Sequence, residues 1–235
     1  MSAVQRNDGP VIVAESLVKN YELNGITVEA LRGMSLSVAR GEFTAVAGPS
    51  GSGKSTFLHL VGCLDVPTSG SVIVGGRDTD SLSKRELAAL RRETIGFIFQ
   101  AYNLIPVLTA IENVSFPLVL LGESARDARD KSRAMLESVG LVGMDDRRPK
   151  EMSGGQQQRV AFARALVKSP AIILADEPTA NLDSKTAREI LELMARLNER
   201  AGTTFVFSTH DKLVMDFARR IVSLRDGLVE SEETR

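Results

Sequence analysis

The stretch Gly48-Pro49-Ser50-Gly51-Ser52-Gly53-Lys54-Ser55-Thr56 lies between a strand-like run, Phe43 to Ala47, and a helical pattern that continues through Leu58 and Val61. A GxxxxGK[ST] sequence after a strand and before a helix is typical of a phosphate-binding loop. Its four fixed positions arise by chance in a chain of this size on the order of 1% of the time, so an accidental glycine and serine loop is a poor alternative. The stretch therefore predicts both the fold and the place of its main ligand.

The residue types of this loop suit a nucleoside triphosphate. Its glycines allow the backbone to curl so that several N–H groups point at phosphate oxygens, and the following helix adds its positive N-terminal end. Lys54 brings a full positive charge, and the hydroxyl of Ser55 can ligate Mg²⁺. We expect the phosphates at residues 48–56 and a magnesium ion at Ser55.

The composition is ordinary and excludes several classes of protein. The chain has 235 residues, of which 43% are hydrophobic and 25% charged, and its net charge is −1. This length fits one large domain that can carry a subdomain, and the lack of a basic excess gives no reason to expect a nucleic-acid partner. A single cysteine, Cys63, excludes an internal disulfide framework. No signal-peptide core is present and the longest apolar runs are too short to span a bilayer, so we expect a soluble, cytoplasmic chain.

Polar side chains follow three predicted strands, at the edge where a doubly wound sheet carries its chemistry. Asp176 and Glu177 end the most apolar of these strands, and we expect Asp176 to help hold Mg²⁺ while Glu177 faces the attacking water. Two solvated loop acids are the alternative. Gln100 is either a solvated loop residue or a group that reaches the metal and the water. His210 stands in the same kind of place, although a lone histidine is more often structural than catalytic.

Tyr21 is one of two tyrosines in a chain without tryptophan. It lies between two predicted strands ahead of the phosphate loop, Val11 to Val13 and Met34 to Val38, which the turn Asn24-Gly25 separates. An aromatic ring in this place can stack on a nucleotide base. A strand tyrosine without a ligand is the plainer hypothesis, and the sequence alone favours it.

Residues 101–152 differ from the rest of the chain because they show no strand pattern. Capping boxes at Thr109 and Ser124 predict helices instead, so we expect a mostly helical insertion. Its entrance, Tyr102 to Leu108, is unusually apolar for a loop. Packing within the insertion and a docking surface for a partner explain this equally well, and for a docking surface we expect Leu104 and Ile105 to point outward.

The stretch Ser153-Gly154-Gly155-Gln156-Gln157 begins a helix in an unusual way. Ser153 and Gln156 have capping-box spacing ahead of an amphipathic pattern that reaches Val167. Two glycines in the first turn each cost about 1 kcal/mol relative to alanine. The cost indicates that a ligand, most naturally an anion, approaches the bare helix N-terminus closely.

Together these segments resemble the ATP-binding subunits of ABC transporters, over nearly the whole chain from Val11 to about Val229. Met152, before the signature motif, stands where leucine is usual in that family. The matching motifs are Walker A at 48–56, the Q-loop glutamine Gln100, the signature SGGQQ at 153–157, Walker B with its glutamate at 172–177, the D-loop at 180–183 with Asp183, the switch histidine His210 and, before them all, the adenine-stacking aromatic Tyr21.

The resemblance implies an α/β fold, namely a P-loop NTPase (ABC ATPase) core with a mixed sheet, an N-terminal antiparallel β part and an inserted helical subdomain. We expect a single domain over 1–235 with the helical subdomain at 101–152. Finer wording points to a branch of the family. GCLD-x-PTSG at 62–70, IGFIFQ at 95–100 and ADEPTANLDS at 175–184 resemble the lipoprotein-release and macrolide-export (LolD- and MacB-like) branch.

The resemblance also implies a mechanism in which two copies stack head to tail. Each ATP then lies between residues 48–56 of one copy and the signature of the other. Glu177 would polarise the attacking water, His210 would contact the γ-phosphate, and Gln100 would sense metal and nucleotide. The implied Mg²⁺ ligands are Ser55, Gln100 and Asp176, and the implied nucleotide contacts beyond the Walker A loop are Tyr21, Gln100, Ser153, Gly154, Gly155, Gln156 and Asp183.

The implied partners are a second copy of the chain and integral membrane permease subunits, which places the protein on the cytoplasmic face of the inner membrane. A soluble ABC ATPase that acts on ribosomes, DNA ends or cluster assembly is the rival hypothesis. Such proteins usually carry two cassettes, a long coiled-coil insertion or extra domains, whereas this sequence shows one Walker A motif and no heptads. The third hypothesis, a non-catalytic regulatory cassette, conflicts with the complete set Lys54, Asp176, Glu177 and His210.

Overall fold

The computed structural model describes residues 9–235 of the protein, so the first eight residues of the predicted domain lie outside the described part. Its strands are β1 (Ile12–Leu23), β2 (Ile26–Val38), β3 (Phe43–Ala47), β4 (Ser69–Val74), β5 (Arg77–Asp78), β6 (Ile95–Ile98), β7 (Ile172–Asp176), β8 (Thr204–Thr209), β9 (Arg220–Arg225) and β10 (Leu228–Thr234). Its helices are α1 (Lys54–Val61), α2 (Lys84–Thr94), α3 (Ala110–Leu120), α4 (Ala125–Ser138), α5 (Gly154–Leu166), α6 (Ser184–Ala201) and α7 (Lys212–Phe217), with a 3₁₀ turn at Pro149–Glu151.

The N-terminal part is an antiparallel sheet with the strand order β2-β1-β4-β5. The predicted turn at Asn24-Gly25 joins β1 to β2, and both residues have positive φ, as a tight hairpin requires. The two strands run well beyond the predicted Val11–Val13 and Met34–Val38. The outer half of β2 is exposed, so the apolar alternation that reveals a strand is missing there.

The second sheet has the order β10-β9-β3-β8-β7-β6, and every neighbouring pair is parallel except β10 with β9. Strands β3 and β8 are buried at every position, as expected for a parallel sheet covered on both faces. The carboxyl ends of β3, β6, β7 and β8 therefore meet at one edge of the sheet. The expected α/β fold, with a mixed sheet and an N-terminal antiparallel part, is confirmed.

The two faces of this sheet belong to two different hydrophobic cores. Val206 of β8 packs with the antiparallel sheet and α1, whereas its neighbours Phe205 and Phe207 point into the core shared with helices α3 to α6. This alternation follows from the two-residue period of a strand. The rings of Phe43 and Phe207 lie 4.6 Å apart across the pair β3–β8. Cores on both sides hold the functional edge of the sheet in place.

Helices α3 and α4 occupy the segment between β6 and α5, and the structure describes no strand within residues 101–152. The predicted capping box at Thr109 is confirmed, whereas at Ser124 only the N-cap half of the box forms. Thr109 and Glu112 form a complete capping box, and the Ser124 hydroxyl accepts the Asp127 N–H. Across residues 9–235, none of the helices combines the length and the apolar character that crossing a bilayer would need.

The C-terminal segment SEETR is acidic, which predicts a frayed tail. That prediction is wrong, because residues 231–234 belong to β10 and pair with β9. The guanidinium of Arg220 on β9 contacts Glu232 on β10 at 2.7 Å and Glu42 at 3.0 Å. Because opposite charges on neighbouring strands stabilise their pairing, the acidic residues of this segment help to hold β10 against β9.

Candidate functional site

A cleft of about 510 Å³ lies at the edge where the parallel strands end. It joins segments that are far apart in sequence, namely β1, β2, the loop after β3 and the ends of β6, β7 and β8. The lining residues are Tyr21, Val28, Glu29, Ala30, Ser50, Gly51, Gly53, Lys54, Ser55, Thr56, Gln100, Glu177 and His210. Ten of the sequence-predicted site residues are among them.

The loop before α1 has the curled backbone that its sequence predicts. Gly53, the residue before α1, has φ of +99°, and a Cβ atom there would lie 2.6 Å from the carbonyl oxygen of Ala30. Only glycine fits this combination of backbone angle and space. The N–H of Phe57 then donates to the Gly53 carbonyl at 2.8 Å, so the helix begins directly at the loop. Its unpaired first N–H groups are the donors that an anion needs.

Lys54 is almost completely buried, with 7% of its surface exposed. Its ammonium donates to the carbonyl oxygens of Gly48 at 2.8 Å and Pro49 at 2.9 Å. These two contacts hold the charge inside the loop instead of on a solvated side chain. A phosphate oxygen in the loop would meet the same ammonium as a charged acceptor, which is stronger than a carbonyl.

The predicted metal ligands Ser55 and Asp176 are in direct contact. The Ser55 hydroxyl donates to Asp176 Oδ1 at 3.0 Å, and the hydroxyl of Ser208 on β8 also donates to this oxygen. Neighbouring ligands in an octahedral Mg²⁺ shell lie about 2.9 Å apart, so the two oxygens fit adjacent positions of such a shell. Residues 9–235 contain no cluster of three or more His, Cys, Asp or Glu that could bind a metal by itself. An ion here needs water and phosphate oxygens as well, as Mg²⁺ does.

Glu177 and His210 form a pair inside the cleft. His210 Nδ1 lies 2.7 Å from Glu177 Oε1, and the glutamate side chain is 14% exposed while the histidine is 70% exposed. The Glu177 backbone has φ of +45°, a conformation that costs energy for a residue with a side chain. Its N–H donates to the Ser208 carbonyl at 3.1 Å, which holds it against β8. Such strain is common where a side chain must be aimed at a reacting group.

Gln100 and Asp183 have different surroundings. Gln100 lines the cleft, and its backbone carbonyl oxygen accepts a hydrogen bond from Asn181 Nδ2 at 2.9 Å. Asp183 does not line the cleft. It caps α6 by accepting the N–H groups of Lys185 and Thr186, as predicted, and these bonds together with the Thr186 hydroxyl lower the pKa of its carboxyl.

The signature segment lies outside the cleft of its own chain, since none of Ser153 to Gln156 is among the described lining residues. The predicted capping box is confirmed, with Gln156 N–H donating to Ser153 Oγ and Ser153 N–H donating to Gln156 Oε1. Sequence reasoning missed one cause of the two glycines. A Cβ atom would lie 2.9 Å from the Tyr102 hydroxyl at Gly154 and 2.8 Å from Thr186 Cγ2 at Gly155. Packing within the chain thus favours small residues here.

Other residues of the cleft escaped sequence reasoning altogether. Val28, Glu29 and Ala30 reach it only through the length of the β1–β2 hairpin, and Ser208 reaches Asp176 through the pairing of β7 with β8. A polar residue at the end of an apolar strand was the available signal for Ser208. No local pattern marks the other three.

The sequence model of the ABC transporter family matches residues 31–180 of this chain. An uncharacterized ABC transporter ATP-binding protein of Thermotoga maritima is 50% identical over 217 residues, which is 92% of each chain. The lipoprotein-releasing system ATP-binding protein LolD of Bordetella pertussis is 46% identical and covers 95% of this chain and 97% of its own length. The macrolide export ATP-binding/permease protein MacB of Bdellovibrio bacteriovorus is also 46% identical, but this chain spans only 34% of it.

Among solved structures, a dimeric post-hydrolysis state of the ATP-binding cassette MJ0796, bound to ADP and Pi, has a TM-score of 0.90. It is 45% identical and covers 95% of this chain and 98% of its own. MJ0796 is a protein of Methanocaldococcus jannaschii. The chain therefore belongs to the ABC transporter family, as an ATP-binding subunit that hydrolyses ATP.

Proposed function

We propose that this protein hydrolyses Mg²⁺-bound ATP as a homodimer and drives a membrane permease of the lipoprotein-release or macrolide-export type. One observation carries the proposal. The cleft gathers Lys54, Ser55, Gln100, Glu177 and His210, yet leaves the anion-binding helix N-terminus at Ser153 outside. The site is complete only if a second copy supplies that helix. The similarity to LolD and MacB supports the branch.

ATP binding is assigned to three groups in the cleft. Residues 48–56 hold the phosphates through backbone N–H groups and the Lys54 ammonium, and the ring of Tyr21 stacks on the adenine. The Ser55 hydroxyl, the Asp176 carboxylate and the Gln100 side chain would hold Mg²⁺. When bound, the ion neutralises charge on the β- and γ-phosphates.

Hydrolysis is assigned to the pair at the ends of β7 and β8. The Glu177 carboxylate accepts a hydrogen bond from the attacking water and takes its proton as the bond from the water oxygen to the γ-phosphorus forms. The bond from the γ-phosphorus to the bridging oxygen breaks, and ADP leaves with that oxygen. His210 turns from Glu177 toward a γ-phosphate oxygen, so the 2.7 Å contact is exchanged when ATP is in place. Its high exposure allows this movement.

The second copy contributes the signature. Ser153 is exposed, and α5 begins there with two glycines, so phosphate oxygens can approach its N-terminus closely. In the sandwich, the Ser153 hydroxyl, Gly154, Gly155 and Gln156 of one copy face the γ-phosphate held by the other. Asp183, the cap of α6, lies near the N-terminus of α5. Thr186 of α6 donates its hydroxyl to Asp183, and its Cγ2 lies 2.8 Å from where a Cβ atom of residue 155 would be.

At the apolar entrance of the helical segment, residues 102–108, the contacts favour packing within the segment over a docking surface. Leu104, expected to point outward together with Ile105, packs against the core of the helical segment. The amide of Asn113 binds both the N–H and the carbonyl of Ile105, which fixes this turn. Packing therefore explains Leu104, and Val107, at 74% exposure, is the large apolar side chain of residues 102–108 that lies mostly in solvent.

A groove of about 440 Å³ beside this entrance is a better docking surface. Its apolar wall includes Leu64 after α1 and Leu120 of α3, which are 43% and 51% exposed. Its other wall carries four cationic side chains that make no ion pair within residues 9–235, namely Arg91, Arg92, Arg164 and Lys168. Burial, with Arg91 and Arg92 nearby, lowers the pKa of Lys168 to about 8. We assign this groove to a cytoplasmic segment of the permease that carries apolar and acidic side chains.

Changing Leu64 and Leu120 together to aspartate is expected to abolish co-purification with the integral membrane subunits. Two carboxylates would have to lose water in an apolar contact, and they would stand against the partner's acidic residues. Both positions are half exposed, so basal ATPase activity and the melting temperature should stay close to wild type. The measurement is affinity capture from detergent-extracted membranes, followed by identification of the membrane proteins.

The matched control is Val142→Asp, which changes an apolar residue that is 72% exposed but lies outside the groove. It should retain the membrane subunits. If the double variant still retains the membrane subunits, the groove is not the docking surface.

We further assign residues 101–152 as a helical subdomain within the single domain 1–235. We also assign the cytoplasmic face of the membrane as the place where the groove binds the permease.

A further inference from the structure

One carboxylate binds both Tyr21 and its neighbour on the same face of β1. Asp65 lies just after α1 and is 44 residues from Tyr21 in sequence. The Tyr21 hydroxyl donates to Asp65 Oδ2 at 3.1 Å, and the Lys19 ammonium donates to Asp65 Oδ1 at 2.9 Å. The tyrosine side chain is thus held at its far end by a charged acceptor.

Lys19 completes the arrangement from the side of the ring. Its ammonium lies over the Tyr21 ring, 5.0 Å from the centroid, and also donates to the Val66 carbonyl at 2.8 Å. The Lys19 side chain is only 12% exposed and Asp65 is 30% exposed, so this is not an ordinary surface ion pair. Burial alone would raise the pKa of Asp65, but bonds from Lys19, the Val66 N–H and Tyr21 lower it below the usual value. The carboxyl is therefore ionised at neutral pH.

Backbone contacts tie the same strand to the same loop. The Thr68 N–H donates to the Val18 carbonyl at 2.8 Å, and the Asn20 N–H donates to Thr68 Oγ1 at 3.0 Å. This loop directly follows α1, the helix that begins at the phosphate-binding loop. The tyrosine ring and the phosphate loop are consequently attached to one packed unit, which sets the distance between them.

We infer that Asp65 and Lys19 are positioning residues for base recognition, because they hold the Tyr21 ring against the cleft and leave one ring face for the adenine. Lys19 covers one face, so the base stacks on the opposite one. A ring that is already held loses less freedom when the base binds, which favours affinity. The inference rests on the proposed role of Tyr21 and deepens it, since neither Lys19 nor Asp65 lines the cleft.

The test compares Mg·ATP with Mg·tripolyphosphate, which has the phosphates but no base. Titration calorimetry gives both dissociation constants, and their ratio isolates the contribution of the base. We expect Asp65→Ala to weaken ATP binding about threefold to tenfold, the scale of the net contribution of an ordinary hydrogen bond, because Asp65 acts on the base only through the ring; tripolyphosphate binding should be unchanged. Tyr21→Ala sets the upper limit, because stacking of a base on an aromatic ring contributes about fivefold to a hundredfold.

Two milder variants keep the test decisive if Asp65→Ala folds poorly in a thermal melt. Tyr21→Phe removes only the hydroxyl that Asp65 binds, and Asp65→Asn keeps the shape but loses the charge. Both variants should lower the affinity for ATP and leave the affinity for tripolyphosphate unchanged. In the double variant Tyr21→Phe, Asp65→Ala, the loss should not exceed that of Asp65→Ala by itself. Asp146→Ala, at a side chain that is 88% exposed, is the matched control and should change neither ligand.

Each outcome separates the inference from the function on which it rests. If Tyr21→Ala leaves the ratio of the two dissociation constants at the wild-type value, the proposed base stacking fails. If Tyr21→Ala weakens the binding of ATP but not of tripolyphosphate, whereas the Asp65 variants and Tyr21→Phe bind both like the wild type, base stacking stands and the positioning role is overturned. Equal weakening of both ligands by the Asp65 variants also overturns it, because the carboxylate would then support the loop as a whole.

Discussion

Replacing Glu177 by glutamine is expected to lower the rate of ATP hydrolysis about 10²–10⁴-fold while ATP still binds. The amide has nearly the shape of the carboxylate and can still contact His210, but it cannot accept a proton from water. The phosphate contacts at residues 48–56 do not involve this side chain. Phosphate release under steady-state conditions measures the effect directly.

The same variant should also keep the dimer together, because hydrolysis no longer separates the two copies. ATP is expected to shift it from monomer to dimer in size-exclusion chromatography, with ADP leaving it monomeric. Glu199→Gln, at a surface side chain that is 62% exposed, is the control and should hydrolyse ATP normally. Hydrolysis at the wild-type rate by Glu177→Gln would mean that this carboxylate is only a solvated loop acid.

Lys54→Ala is expected to weaken ATP binding about tenfold to a hundredfold, because it removes a charge-assisted contact worth roughly 1.5–3 kcal/mol. The Gly48 and Pro49 carbonyls also lose their donor, so a small decrease in melting temperature accompanies the change. Equilibrium titration with a fluorescent ATP analogue gives the affinity. Lys212→Ala, which changes an 83% exposed lysine, should bind like the wild type. Unchanged affinity in Lys54→Ala would remove this ammonium from the phosphate site.

Much of the fold follows from local rules that the sequence displays openly. The strand before Gly48, the apolar runs of β7 and β8 and the caps at Thr109, Ser153 and Asp183 each depend on residues within one short segment. Parallel strands then bring their carboxyl ends to one edge. That rule explains why residues separated by more than a hundred positions, such as Ser55 and Asp176, could be expected in one site.

The features that escaped prediction depend on contacts between distant segments. The direction of Leu104 is decided by the core of the helical segment, and the order of the C-terminal strand by Arg220. The hydrogen bond from Tyr21 to Asp65 joins positions 44 residues apart, and no local sequence pattern predicts it. The two glycines of the signature have a cost that the sequence shows, but the closeness of Thr186 to a Cβ atom at position 155 depends on the packing of α5 against α6.

The central claim is that each ATP is hydrolysed between two copies of the chain. Mixing Ser153→Arg with Lys54→Ala tests it most directly, because a mixed dimer has one site with an intact Lys54 and an intact signature. Two nearly inactive proteins should then recover up to about a quarter of wild-type ATPase activity at equal amounts, since half of the dimers are mixed and each has one good site. As the control, Lys54→Ala mixed with the double variant Lys54→Ala, Ser153→Arg can form no intact site and should stay inactive. Activity in the first mixture that does not rise above that of its components would contradict the composite site.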